Sequence, residues 1–292
     1  MTAPPSPPGS RAELRQAVLA LAVLDEVDLQ PRDHGVVLAA GGSLGWDDVA
    51  CALGPWASLP DHPVTRRRLR LAAEVVGLVA LGGEDELLGA CHAHGEAVGT
   101  AVMGAADGWV RERVPGGVLT LGLGVSDLGG IVGPHPLPPL PCLQGPLRVR
   151  LDARWADVRE DLERLGGLVQ QRLLRDQREG RPLVLRPMGT ADVVTLLGSV
   201  RLRSALARGD GTGMRAVAVP VRDRGWFDLA RIDPAYVGAA WGASHPLERA
   251  FDRPVLVTAD EVVAPVPSGD VLGAGVLADP AARSLDRDLR RR

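Results

Sequence analysis

The chain has 292 residues, of which 46% are hydrophobic and 24% are charged, as is typical of a protein that folds around a buried core. Its net charge of −3 gives no overall attraction to nucleic acid or to an anionic membrane surface, so we expect neither as a partner. The sequence has no uninterrupted apolar run of about 20 residues, so we predict no membrane span and a cytoplasmic location.

Composition also bears on the source of the chain and on the state of its cysteines. The sequence contains neither lysine nor asparagine, so every basic residue is arginine. Both missing residues have AT-rich codons, which indicates a bacterium with a GC-rich genome rather than selection of arginine for its guanidinium group. Cys51, Cys91 and Cys142 are an odd number without a close pair, which predicts buried thiols rather than a disulfide framework.

The first half of the chain is predicted to be mainly helical. Residues 1–9 are rich in proline and are expected to form a disordered tail. Ser10 and Glu13 have the spacing of a capping box, which predicts that the first helix begins there. The other predicted elements of this half, from apolar periodicity, are helices over 46–53, 64–81 and 84–111 and short strands over 34–40 and 117–125.

The second half is predicted to alternate strands with helices. It follows a proline-rich segment at 133–146, which we interpret as a stiff connector. The predicted elements are strands over 147–151, 183–186, 214–221, 254–258, 261–266 and 271–277, and helices over 153–177 and 190–208. This alternation is typical of a doubly wound or three-layer α/β unit.

The predicted fold class is therefore α/β, with a mixed α+β arrangement as the alternative. We expect a mainly helical half at 10–132 with a short strand pair, the connector at 133–146 and an α/β half at 147–280. Residues 281–292 are expected to form a charged tail.

Gly41 to Gly45 match the G-x-S-x-G spacing of a nucleophile elbow, with Ser43 as the candidate nucleophile. A serine nucleophile needs a base and an acid, and the chain order of such a triad would assign these roles to His245 and Asp233. The alternative is a tight glycine-rich connection in which Ser43 caps a helix.

Cys91, His92, His94 and Glu96 concentrate side chains that can bind metals. In a helix, His92 with Glu96, or Cys91 with His94, would lie on one face, and each pair would be half of a metal site. The alternative is that Cys91 and His94 belong to an apolar core face.

Arg186, Gly189 and Thr190 are the candidate site for a small anionic ligand. The pattern predicts an arginine at the end of a strand, followed by a glycine and a threonine that open a helix. Amides at a helix N-terminus favour anions.

We therefore expect a ligand-binding or regulatory protein without a recognisable catalytic constellation. A serine hydrolase that uses Ser43 and a protein-interaction scaffold are the alternatives, no cofactor is indicated, and an oligomer is left open.

Overall fold

The computed structural model describes residues 10–97, 110–128, 133–181, 183–209, 211–227, 238, 242, 250–251 and 253–264. Its helices are α1 (Arg11–Leu24), α2 (Trp46–Leu53), α3 (Pro63–Ala80), α4 (Glu84–Ala90), α5 (Pro146–Arg178), α6 (Val193–Leu196) and α7 (Val200–Ala207), with 3₁₀-helices at Gly54–Ser58 and Pro141–Leu143. Its strands are β1 (Leu29–Pro31), β2 (Gly35–Leu38), β3 (Ser43–Gly45), β4 (Cys91–Ala97), β5 (Val110–Val114), β6 (Leu119–Val125), β7 (His135–Pro136), β8 (Val184–Leu185), β9 (Arg215–Val221), β10 (Arg224–Trp226), β11 (Val255–Val257) and β12 (Val262–Val263).

Within these ranges the strands form three antiparallel sheets. The first has the order β1-β2-β3, the second β4-β6-β5 with β7 also paired to β6, and the third β12-β11-β9-β10-β8. The fold is therefore mixed α+β, which confirms the predicted class in its α+β form. The parallel, doubly wound arrangement does not occur among the described strands, since their pairs are all antiparallel.

The helical start of the chain was predictable from local signals. Ser10 and Glu13 form the expected capping box, in which the Ser10 hydroxyl accepts from the Glu13 amide and the Glu13 carboxylate accepts from the Ser10 amide. The buried face of α1 has the three- and four-residue spacing that the sequence shows, and it packs on α3. Helix α2 occupies 46–53, as predicted.

The helix predicted over 84–111 is wrong beyond Ala90. Helix α4 ends there, and the next residues form β4, which pairs with β6 from Cys91 opposite Val125 to Ala97 opposite Leu119. Both faces of β4 are buried, so the two-residue period of a half-exposed strand is missing from the sequence. Its local pattern could not be distinguished from a buried helix.

Two predictions in the second half also require correction. The strand over 147–151 is instead the start of α5, which begins at Pro146, a residue favoured in the first turn of a helix. The helix predicted over 190–208 is two helices, α6 and α7, because the chain turns at Gly198 and Ser199 then caps α7 by accepting from Leu202 N. No helix in the part of the chain described is long and apolar enough to cross a membrane.

The segment 133–146 packs against the second sheet. Its strand β7 pairs with Gly124 and Val125 of β6, and Leu137, Leu140 and Leu143 are buried. The proline-rich sequence is thus held by strand pairing and apolar burial.

The second sheet lies against α5 and α6. Gly95 of β4 allows this contact, because a Cβ atom there would lie 2.9 Å from Cα of Thr195 and 3.0 Å from its backbone nitrogen. The Gly95 amide donates to the Thr195 hydroxyl at 2.9 Å. The close contact between β4 and α6 therefore requires a glycine at position 95.

We predict opposite effects for two Gly→Ala substitutions. Gly95→Ala should lower the free energy of unfolding by about 1–3 kcal/mol or more, because the new methyl group would collide with backbone atoms that cannot move independently. Gly89→Ala, in α4 where no atom lies within 4 Å of the added Cβ, should raise it by about 0.5–1 kcal/mol. Urea denaturation of both variants tests this, and equal effects would contradict the assigned contact.

Candidate functional site

A cleft of about 410 Å³ opens between the β1–β2 hairpin and α3. Helix α4 and the residues after β6 complete its wall. The lining is mainly aliphatic, and the residues that form it are Val27, Asp28, Leu29, Leu38, Ala39, Ala40, Ala73, Glu74, Gly77, Leu78, Leu81, Glu86 and Leu128. Five separate stretches of sequence therefore contribute to one concave surface.

Small residues leave this space open. Gly77 of α3 brings the helix close to the hairpin, since a Cβ atom there would lie 3.4 Å from Cβ of Ala40. The turn between β2 and β3 contains Gly41 and Gly42, whose φ angles of 106° and 86° favour glycine. A Cβ atom at Gly42 would lie 2.7 Å from a methyl group of Val76, so this turn can approach α3 only because it has no side chain.

The polar groups of the cleft are all acidic. Asp28 and Glu86 are exposed at its edge, and Glu74 is half-buried, with its carboxylate 3.9 Å from Nε of Arg70. Among the described residues that line the cleft, none is basic and none is aromatic. The cleft thus combines an aliphatic interior with a negative rim.

A second feature is a buried ion network around Arg222, which follows β9. Its Nε donates to Asp192 at 2.5 Å, its Nη1 lies 3.4 Å from Glu96 and its Nη2 donates to the Gly95 carbonyl. Nε2 of His94 lies 3.0 Å from a carboxylate oxygen of Glu96 and 3.2 Å from Nη2 of Arg222. The network joins β4 to the third sheet and to the start of α6.

The charges of this network stabilise one another. Burial alone would raise the pKa of the Glu96 carboxyl, but Arg222, His94 and Arg68 outweigh it and lower that pKa to about 2. The same balance lowers the pKa of Asp192, where burial is outweighed by Arg222, His94 and the hydrogen bonds from Thr195 together. The two carboxylates in turn outweigh burial at Arg222 and raise its pKa.

The predicted metal ligands divide between two faces of β4. His92, His94 and Glu96 lie on one face, since alternate residues of a strand point the same way. Cys91 lies on the other, where its thiol donates to the Leu87 carbonyl and burial raises its pKa to about 12. The metal prediction placed these residues in pairs on one face of a helix, and the segment is a strand instead. Beside Glu96, the guanidinium of Arg222 already supplies a positive charge. In the described ranges no three His, Cys, Asp or Glu side chains converge to hold a metal ion.

Ser43 lies exposed at the start of β3, in an antiparallel hairpin rather than at a strand-to-helix elbow. The N-cap of α2 is Gly45, so Ser43 does not cap that helix. Within the described part of the molecule, no base is hydrogen-bonded to the Ser43 hydroxyl. Asp233 and His245 lie outside the described residues, so the proposed triad stays a prediction.

Gly189 and Thr190 form an exposed turn between Met188 and Ala191, whose backbones exchange two hydrogen bonds. The helix expected to open at Thr190 begins only at Val193, and its N-cap is a carboxylate, Asp192, which accepts from the Thr195 amide. The amides expected to bind an anion therefore face a residue of the chain itself.

Arg186 is exposed beside this turn, and its carbonyl accepts from Arg172 at 3.2 Å. Two guanidinium groups lie near each other here, and Arg186 contributes to the lowered pKa of Arg172, of which burial is the main cause. Anion binding at this position stays a prediction.

Sequence reasoning singled out His94 and Glu96 but missed Asp192 and Arg222 of the network and the residues that line the cleft. Asp192 and Arg222 are 30 positions apart, and their contact depends on how α6 packs beside the third sheet. Asp192 did have a usable local signal, because aspartate is one of the preferred N-cap residues of a helix. The cleft had no local sequence signal, because the residues that line it are distant from one another in the sequence.

No protein-family model matches this chain, and no curated protein or solved structure is significantly similar to it. Its function must therefore be argued from the cleft, the network and their chemistry.

We expect the network to make folding sensitive to acid. Because the pKa of Glu96 lies below its ordinary value, the carboxylate stabilises the fold at neutral pH, and this stabilisation is lost as pH falls from about 4.5 to about 2. Over that interval the native protein should lose about 3 kcal/mol more unfolding free energy than Glu96→Gln. Urea denaturation at a series of pH values measures this, and parallel curves would contradict it.

Removal of the central cation should be costly. Arg222→Met removes the main cation beside two buried carboxylates and should lower the free energy of unfolding by about 3–5 kcal/mol. Arg208→Met is the matched control and should change it by less than about 1 kcal/mol, because this arginine is exposed and donates to the Ser204 carbonyl one turn earlier.

A triple variant separates charge from shape in this network. Adding Glu96→Gln and Asp192→Asn to Arg222→Met removes the unpaired charges and should recover part of the lost stability. A triple variant less stable than Arg222→Met alone would show that the arginine acts through packing instead.

Proposed function

We propose that this chain is a small-molecule-binding protein and that the cleft between the β1–β2 hairpin and α3 is its binding site. The observation that carries the proposal is the cleft itself, whose volume of about 410 Å³ lies within the range of known ligand pockets, about 300–1,000 Å³. An aliphatic interior with a few polar groups at the edge is the usual lining of such pockets.

The ion network is the weaker candidate for a binding site. Each nitrogen of the Arg222 guanidinium already has an acceptor in the protein, so an anionic ligand would compete with a buried carboxylate for this cation. Displacement would leave that carboxylate buried without its partner, which is strongly unfavourable. We therefore assign the network to stability and the cleft to binding.

A cytoplasmic site of action is part of this proposal. Its support is the state of the cysteines, since Cys51, Cys91 and Cys142 are all free. Free thiols suit a reducing compartment.

No observation among the described residues favours the hydrolase or the scaffold over a binding protein.

Filling the cleft should abolish binding without affecting the fold. The probe is N-phenyl-1-naphthylamine, a neutral apolar dye whose fluorescence rises in an apolar site. Ala39 is exposed and lines the cleft, and Ala39→Phe should weaken dye binding at least tenfold because the new ring occupies the space.

The matched control is Ala12→Phe, the same substitution at an exposed position of α1 that does not line the cleft. It should bind dye like the native protein. Native protein that binds no dye, or equal binding by both variants, would contradict the cleft as the site.

A further inference from the structure

We infer that the ligand of this cleft is a primary amine that carries an aliphatic chain, bound with its ammonium group at the acidic rim. The inference rests on the proposed function and adds the chemical class of the ligand. The acidic and aliphatic side chains that line the cleft support it.

The rim selects for positive charge. Asp28 precedes β1, Glu74 lies in α3 and Glu86 in α4, yet all three border the same cleft. Of these, Glu74 is the only one with an ion-pair partner among the described residues, and its 3.9 Å separation from Arg70 is at the limit of such a contact. Because no basic side chain lines the described cleft, an anionic ligand would meet like charges only.

The interior selects for an aliphatic body. Leu29, Leu38, Leu78 and Leu128 present methyl groups, and they contribute no hydrogen-bonding side chain. A sugar, nucleotide or peptide would leave polar groups unpaired against these leucines, which is unfavourable. An alkyl chain loses no hydrogen bond there.

The form of the cation follows from the missing aromatic rings. Quaternary ammonium groups are recognised mainly by cation–π contact with aromatic cages, and no aromatic side chain lines the cleft in the described structure. A primary ammonium instead has three N–H donors, which match carboxylate acceptors. The rim therefore favours a primary amine.

Three probes of one chain length test this inference by isothermal titration calorimetry at low ionic strength. They are octylammonium, octan-1-ol and octanoate, which differ in head-group charge. Octylammonium should bind at least tenfold more tightly than octan-1-ol and at least a hundredfold more tightly than octanoate. Added 0.5 M NaCl should reduce the preference for octylammonium, because exposed charges are screened.

A charge-matched pair of triple variants locates the selectivity. Asp28→Asn, Glu74→Gln and Glu86→Gln together should abolish the preference for octylammonium while octan-1-ol still binds, which also shows that the cleft is intact. The control carries Asp223→Asn, Glu160→Gln and Glu179→Gln, at three exposed acids that do not line the cleft, and should keep the native preference.

The outcomes separate this inference from the proposed function. Equal binding of octylammonium and octan-1-ol, tighter binding of octanoate, or equal effects of the two triple variants would overturn the amine as ligand and leave the cleft as a binding site. Failure of all three probes to bind would overturn the proposed function as well.

Discussion

The guanidinium of Arg222 fixes the relation between parts of the chain that no short-range signal connects. It reaches the Gly95 carbonyl and Glu96 on β4 and Asp192 before α6, so that an edge strand, a helix cap and the third sheet share one cation. A planar fork can satisfy several acceptors only in a narrow set of orientations. Because two carboxylates are buried beside it, separating these elements from Arg222 would leave buried charges without their partner, which is strongly unfavourable.

The cleft follows a different rule from the network. Around Arg222 the charged groups are close together and paired, whereas the cleft is open because glycine and alanine occupy positions where larger residues would fill it. Gly77 and Ala40 bring α3 and the hairpin together at one point, and the space beside that contact is lined by leucines from other segments. Stability and binding are therefore assigned to separate places, and a change in the cleft lining need not disturb the charges that hold the sheets.

Local chemistry explains which elements were predictable. The Ser10 capping box and the amphipathic pattern of α1 act within one turn of helix, so the sequence contains the whole interaction. The residues of β4 were wrongly predicted to be helical because the strand is buried on both faces. Its polar side chains find contacts with residues far along the chain. The metal and anion hypotheses assumed helical geometry at 91–96 and at Thr190, and both positions lie in other conformations.

By itself the sequence determined the mixed helix and strand content, the starts of several helices and the absence of a long apolar span, because these depend on residues within a few positions of one another. Only the tertiary structure decided that the described strands pair antiparallel, that Arg222 meets Asp192 and Glu96, and that Asp28, Glu74 and Glu86 border one aliphatic cleft. These contacts join residues separated by up to 126 positions. Their geometry is set by how whole elements pack, which local propensity does not encode.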